Sequence, residues 1–259
     1  MPDIGVGSRE FWKEVTAQAE ELQADNILLY MQLMLKRAAE KNVPVRRTNI
    51  VQYGKSLPFF DGVLPYDDEA GRNVEGWFDR IDEYGRLSGI KVEHYIVSSG
   101  LEEMIRGTPI AKKIKRIYAS KFLYDHNDAA CWPGLAVNYT TKTQFLFRIN
   151  KGKLDVHDEG VNEFVPKEER PIPFSRMIFL GDGDTDIPCF RTVKEQGGHS
   201  IAVFPPGSRK KKRLVEQYAA DGRVNFVSQA DYRERAQLDV IVKAIIDKIQ
   251  LDNELTRLR

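Results

Sequence analysis

Apolar positions along the first seventy residues recur at helical spacing. Ser8 can cap a helix holding Phe11, Trp12 and Val15, and Asp25 can cap a second in which Ile27, Leu28, Met31, Met34, Leu35 and Ala38 share a face. A third, shorter helix is expected from Thr48 to Gly54, and the proline-bracketed segment Leu57–Pro65 reads as a junction. After about Asn73 the pattern changes. Trp77, Phe78, Ile81 and Tyr84 lie on one helical face, Ile90–Val97 reads as a strand, and helices are expected from Leu101 and from Thr108-Pro109. Ile117–Ala119 suggests a short strand, 121–140 a hairpin or irregular stretch with Trp132-Pro-Gly134 as its turn, and Thr141 a cap for a helix through Phe147 and Ile149. Strands are expected at Met177–Leu180, Ser200–Phe204 and Asn225–Val227. A last helix carries Leu238, Ile241, Val242, Ile245, Ile246 and Ile249 as one stripe. Strands alternating with helices predict a parallel sheet covered on both faces. The chain therefore divides into a helical block, residues 1–72, and an α/β segment, residues 73–259.

Composition narrows the class. Of the 259 residues 42% are hydrophobic and 30% charged, ordinary for a globular protein. A net charge of +1 gives no reason to expect nucleic acid or an anionic membrane as a partner. No apolar run approaches the roughly 20 residues that span a bilayer, and Met1–Gly7 has no apolar segment of the signal-peptide kind. Cys131 and Cys189 form no Cys-x-x-Cys and read as free thiols in a reducing compartment, so a cytoplasmic protein is expected.

The densest chemistry is in Met177-Ile-Phe-Leu-Gly-Asp-Gly-Asp-Thr-Asp-Ile-Pro188. An apolar strand stops at Gly181, and Asp182, Asp184 and Asp186 follow at alternate positions. Carboxylates this close repel one another unless something compensates. A hard cation such as Mg²⁺, which takes oxygen ligands and keeps waters and a substrate phosphate, does so best. Ligands of open α/β sheets sit beyond the carboxyl ends of strands, where this turn falls. An acidic turn facing solvent is the plainer alternative. Tyr95-Ile-Val-Ser-Ser-Gly100 is a strand ending in hydroxyls and a glycine before a helix. Ser98, Ser99 and Gly100 there either receive an anion or cap the helix. Lys142 stands at a helix start, where the dipole disfavours a cation, so it is expected to reach an anion beyond the helix end rather than be an ordinary surface lysine. Lys151 is a further candidate. The run Arg209-Lys-Lys-Lys-Arg213 either touches an acidic partner or is the solvated start of a helix. Phe11, Trp12, Met31 and Met34 either line a pocket or pack between helices. The four histidines show no metal spacing.

In their order along the chain, Ser98, Lys142, and Asp182 with Asp186 resemble motifs two, three and four of the haloacid dehalogenase-like (HAD) hydrolases, nearest to phosphoserine-phosphatase-like members with a helical cap. The resemblance implies a Rossmann-like parallel-sheet core, an N-terminal helical cap, and Mg²⁺-dependent hydrolysis of a small phosphomonoester through an aspartyl-phosphate. It implies that Ser98 hydrogen-bonds the phosphoryl group, with Ser99 the substitute if motif two is displaced by one residue. Lys142 would neutralise that group and Asp182 would bind Mg²⁺. Asp186 would assist the metal or orient Lys142, and Asp184 stands where the family often has a small residue. The family's first motif, a strand ending in Asp-x-Asp whose first carboxylate is the nucleophile, is missing. The only Asp-x-Asp pairs lie within 182–186, and Asp61 in Phe59-Phe-Asp-Gly-Val63 has Val63 two places on. Because that strand is central in the family's sheet, its loss would leave two strand edges roughly 10 Å apart. The natural polypeptide is expected to extend upstream and supply it. A catalytically dead relative that binds a phosphate ligand or a protein is the alternative function, and a phosphotransferase is a third.

Overall fold

The computed structural model describes residues 7–258. Residues 1–6, which carried the expectation about the N-terminus, and the Ser8 side chain lie outside that set. The chain divides into two compact units, residues 1–57 with 95–138, and residues 58–94 with 139–259. Among the described residues no helix is long and apolar enough to cross a membrane.

The first unit holds the three expected helices: α1 (Ser8–Leu22), α2 (Asn26–Glu40) and α3 (Arg47–Gly54). Gly7 occupies the cap position of α1. Asp25 caps α2 as expected, its carboxylate accepting from the backbone N–H of Ile27 at 2.8 Å and Leu28 at 2.9 Å. These helices do not stand apart from strands. Val15, Met31, Leu33, Met34 and Ile50 form one apolar cluster with Leu101 and Phe122, which places residues 95–138 in this unit. Phe11, Met31 and Met34 are therefore core residues, while Trp12 remains half exposed.

The strands of this unit are β3 (Tyr95–Leu101), β4 (Arg116–Tyr124) and β5 (Ala130–Leu135), in that order across a mixed sheet. β3 runs parallel to β4 from Tyr95↔Arg116 to Ser98↔Ala119, and the register shifts before Leu101. Strand begins at Tyr95 rather than Ile90 because β4 starts only at Arg116, so residues 90–94 have no ladder partner there. α5 (Glu102–Arg106) follows β3, and Pro109–Lys113 forms a 3-10 helix where an α-helix was expected. The turn placed at Trp132–Gly134 is instead part of β5, paired antiparallel with β4 through Leu123↔Trp132. Pro133 is tolerated because β5 is an edge strand with register irregularities. The actual turn is at Asp125–Asp128, where Asp125 accepts from the N–H of Asn127 and Ala129, and Asp128 has φ of 56°.

The second unit begins with a small antiparallel pair, β1 (Tyr66–Asp67) and β2 (Asn73–Val74), then α4 (Trp77–Leu87). After α6 (Tyr139–Lys151) come β6 (Ile178–Gly181), α7 (Ile187–Glu195), β7 (His199–Phe204), α8 (Arg209–Ala220), β8 (Phe226–Gln229) and α9 (Gln237–Arg257). β6, β7 and β8 form a fully parallel sheet with β7 in the middle. Its faces alternate as the pleat requires. Ile201 and Val203 pack with Trp77, Ile81, Leu238, Val242 and Ile245, while Ala202 packs with Phe190, Val215 and Tyr218. Helices α4 and α9 thus cover one face, and α7 and α8 the other, the arrangement that strand–helix alternation predicts.

The long segment after α6 has no strand of its own. It is held by buried Arg148, which donates to the carbonyls of Asp155 and Val156 at 2.7 Å and of Asp158 at 2.9 Å. Lys151 donates to the carbonyls of Val161 and Glu163, so it is a structural lysine here.

Candidate functional site

At the end of β6 the chain turns sharply and hands over to α7 through Asp182, Gly183 and a single 3-10 turn, Asp184–Asp186. Gly181 is required there. A Cβ on it would lie 2.7 Å from the Cβ, Cγ and Oδ2 atoms of Asp186. That close approach lets the Asp186 carboxylate fold back beneath the turn. Its Oδ2 accepts from the backbone N–H of Asp182 at 3.1 Å and of Gly183 at 3.3 Å.

The other oxygen of Asp186 accepts from Lys142 Nζ at 2.8 Å, and Lys142 also donates to Thr185 Oγ1 at 2.9 Å. Lys142 and Asp186 are 4% and 6% exposed, so this is a buried ion pair. α6 begins at Tyr139, ahead of the expected cap at Thr141, which puts Lys142 in the first turn. A cation there works against the helix dipole, and the Asp186 carboxylate is the anion that offsets it. An ammonium has three donors, and two are used within the protein. Thr185 had not been singled out in the sequence, although it stands inside the acidic motif.

The three carboxylates of the turn are thus in different states. Both oxygens of Asp186 are engaged by protein donors. Asp184 is exposed but accepts a hydrogen bond from the Tyr218 hydroxyl of α8. Burial first, and then this carboxylate, raise the Tyr218 phenol well above its ordinary range. Asp182 is exposed, and among the described residues no hydrogen bond or ion pair falls on its carboxylate. Its main-chain oxygen accepts from Lys211 Nζ at 3.3 Å. Tyr232, raised to about 12 by burial first and then by the charge of Asp182, lies within electrostatic reach. Phe60 stacks on Tyr232 at 6.4 Å and Trp77 meets it edge-on at 5.1 Å. Tyr218 and Tyr232 gave no signal in the sequence, whereas Lys211 belongs to the basic run. Beneath the turn, burial pushes the Cys189 thiol up to about 12, assisted by Asp186, so this buried free cysteine is no thiolate nucleophile at neutral pH.

These donors fit a divalent ion only in a limited way. Among the described residues no group of three or more His, Cys, Asp or Glu is placed to hold a metal. Mg²⁺, however, is often bound through one or two carboxylates with water and substrate phosphate completing the shell. The free carboxylate of Asp182 suits that mode; Asp184 keeps one oxygen beyond its bond with Tyr218, whereas both oxygens of Asp186 are engaged by protein donors.

Ser98, Ser99 and Gly100 belong to the first unit, at the end of β3. Neither serine caps α5: the cap position is Leu101, with no side-chain hydrogen bond. Ser98 Oγ accepts from the N–H of Gly100 at 3.0 Å, which leaves its own O–H to donate. The Ser99 carbonyl accepts from the Tyr30 hydroxyl at 3.0 Å and Ser120 Oγ at 3.3 Å, and the Ser99 Oγ is buried without a partner. Lys142, Thr185 and Asp186 are brought together in the second unit, with Asp182 and Asp184 on the same turn.

No family model matches the chain. It is 27% identical over 263 residues to an uncharacterized protein of Borreliella burgdorferi, a similarity covering 90% of this chain and 85% of that protein.

Proposed function

We propose that this chain is a HAD-like hydrolase unit that binds the phosphoryl group of a small phosphomonoester at the carboxyl end of β6. The observation that carries this reading is the buried Lys142–Asp186 pair, fixed under a Gly-Asp-Gly turn whose remaining free carboxylate is Asp182. Burying two charges is costly unless their hydrogen bonds are satisfied, and here the geometry leaves one ammonium N–H uncommitted. In this reading Lys142 donates that N–H to a phosphoryl oxygen and Asp186 holds the ammonium in place. Asp182 holds Mg²⁺, which supplies charge neutralisation at the phosphoryl oxygens.

Hydrolysis by the family's route needs a carboxylate nucleophile that becomes an aspartyl-phosphate and is then released by water. The 259 residues contain no strand ending in Asp-x-Asp outside 182–186, so this polypeptide by itself is expected to bind phosphate without turning it over. The same absence favours the second reading, a HAD-like module that binds a phosphate ligand or a protein without catalysis.

Assay of p-nitrophenyl phosphate with Mg²⁺, on this chain and on a version extended by an apolar strand ending in Asp-x-Asp, separates the two. Hydrolysis confined to the extended version supports the hydrolase. Phosphate binding without hydrolysis in both supports the binding module. Hydrolysis by this chain alone that survives Asp182→Asn and Lys142→Met contradicts both.

A further inference from the structure

The three strands β6, β7 and β8 run parallel, so their carboxyl ends share one edge of the sheet. Asp182 follows β6 on that edge. Tyr232 stands there too, three residues past Gln229, where β8 ends. The charge of Asp182 reaches the Tyr232 phenol along this edge.

Both the ring and the main chain of Tyr232 are fixed. Phe60 stacks on the ring, and buried Trp77 meets it edge-on. The Tyr232 N–H donates to the Asp61 carbonyl at 2.8 Å, and the Tyr232 carbonyl accepts from Arg80 Nη2. Arg80 is anchored in turn. It donates to the Glu75 carbonyl and lies 3.9 Å from the carboxylate of Asp239, which is 1% exposed. Gly62 lets residues 60–62 press this close. A Cβ on it would lie 2.3 Å from the Arg233 nitrogen and 2.4 Å from the Tyr232 carbonyl carbon, and its φ is 81°.

This order ends in a hydroxyl that the fold does not use. Tyr232 Oη makes no hydrogen bond among the described residues, yet it is not sealed from solvent. Tyrosines packed into a protein ordinarily commit the O–H to a partner, as Tyr30 does to Ser99, Tyr84 to Asp247 and Tyr218 to Asp184. We propose that Tyr232 is a further residue of the phosphoryl site, its hydroxyl donating to an oxygen of the phosphoryl group held at Asp182. This rests on the phosphoryl reading above. A neutral phenol has one proton to donate and, unlike a second lysine, brings no cation to compete for the Asp182 carboxylate that is to hold Mg²⁺. Because the ring is already clamped, little side-chain freedom is lost when the ligand arrives.

The test is calorimetric titration of orthophosphate, with Mg²⁺, into the full chain and into Tyr232→Phe, with thermal melting of both. The substitution keeps the ring between Phe60 and Trp77 and deletes only the oxygen. Affinity is expected to fall about tenfold, the scale of one hydrogen bond to a charged acceptor, while the melting temperature stays where it was. Unchanged affinity overturns the assignment of Tyr232 and leaves phosphate binding and its dependence on Lys142 intact. A melting temperature that falls together with the affinity also overturns it, since the hydroxyl would then serve the fold. Failure of Lys142→Met to weaken phosphate binding overturns the phosphoryl reading, and this inference with it.

Discussion

β3 and β6 both run parallel to a neighbouring strand and both hand the chain to a helix, yet the two junctions are held by different chemistry. After β3 the turn is held by neutral groups. Ser98 Oγ receives the Gly100 N–H, and the Ser99 carbonyl receives two hydroxyls from elsewhere in its unit. After β6 the turn is held by charge, with one carboxylate receiving two backbone N–H groups and a buried ammonium. Two backbone N–H groups of the second junction, those of Asp182 and Gly183, are already occupied by Asp186. What this junction offers a ligand is therefore side-chain chemistry: the third donor of Lys142 and the free carboxylate of Asp182. The first junction offers a single hydroxyl.

The sharpest way to break this contrast is to delete the charge at the second junction. Asp186→Ala leaves Lys142 buried without its counter-ion and is expected to cost about 3–5 kcal/mol, read by urea denaturation. A loss under about 1 kcal/mol would mean that the pair does not organise the turn. Gly181→Ala keeps every charge but drives a methyl into the Asp186 carboxylate, with an expected loss of about 1–3 kcal/mol. Ser98→Ala, its counterpart at the first junction, removes one neutral hydrogen bond and should cost only about 0.5–1.5 kcal/mol. If the serine variant proved the more damaging of these, the ranking of the junctions would be reversed.

The smallest expected effect is one of pH. His199, the first residue of β7, is held below its ordinary 6.5 by burial first and then by the charge of Lys248, and its Nε2 has no partner. Above that pH the ring is neutral in both folded and unfolded chains and contributes no slope. As pH falls below it, the unfolded chain takes up the proton first, so stability declines until the folded pKa is reached. Denaturation midpoints of His199→Asn should be flatter than those of the parent across this window. Identical profiles would show that the ring titrates normally.

Much of the second unit was legible in the sequence. β6, β7, β8 and α9 follow from apolar runs and one apolar stripe, because both faces of a parallel sheet must be buried. The acidic turn and Lys142 stood out for the same kind of reason: charge placed where local energetics oppose it implies a partner. The resemblance left open whether Asp186 assists a metal or orients Lys142, and the pair with Lys142 depends on the close approach at Gly181. Nor did the sequence disclose which aspartate stays free, since Asp184 is engaged by a tyrosine that follows it by more than thirty residues. The first unit was harder to read. Residues 95–138 carry an α/β pattern but bury Leu101 and Phe122 against the N-terminal helices, a choice made by packing and not by periodicity. β5 was hidden behind Trp-Pro-Gly, which reads as a turn unless the strand lies at an edge.

The central claim is tested most directly by titrating orthophosphate calorimetrically into the full chain, with and without Mg²⁺, and repeating this for Lys142→Met and Asp182→Asn. The account predicts that Lys142→Met abolishes binding and that Asp182→Asn leaves a weak affinity indifferent to Mg²⁺. Equal, Mg²⁺-independent affinity in all three proteins would contradict it.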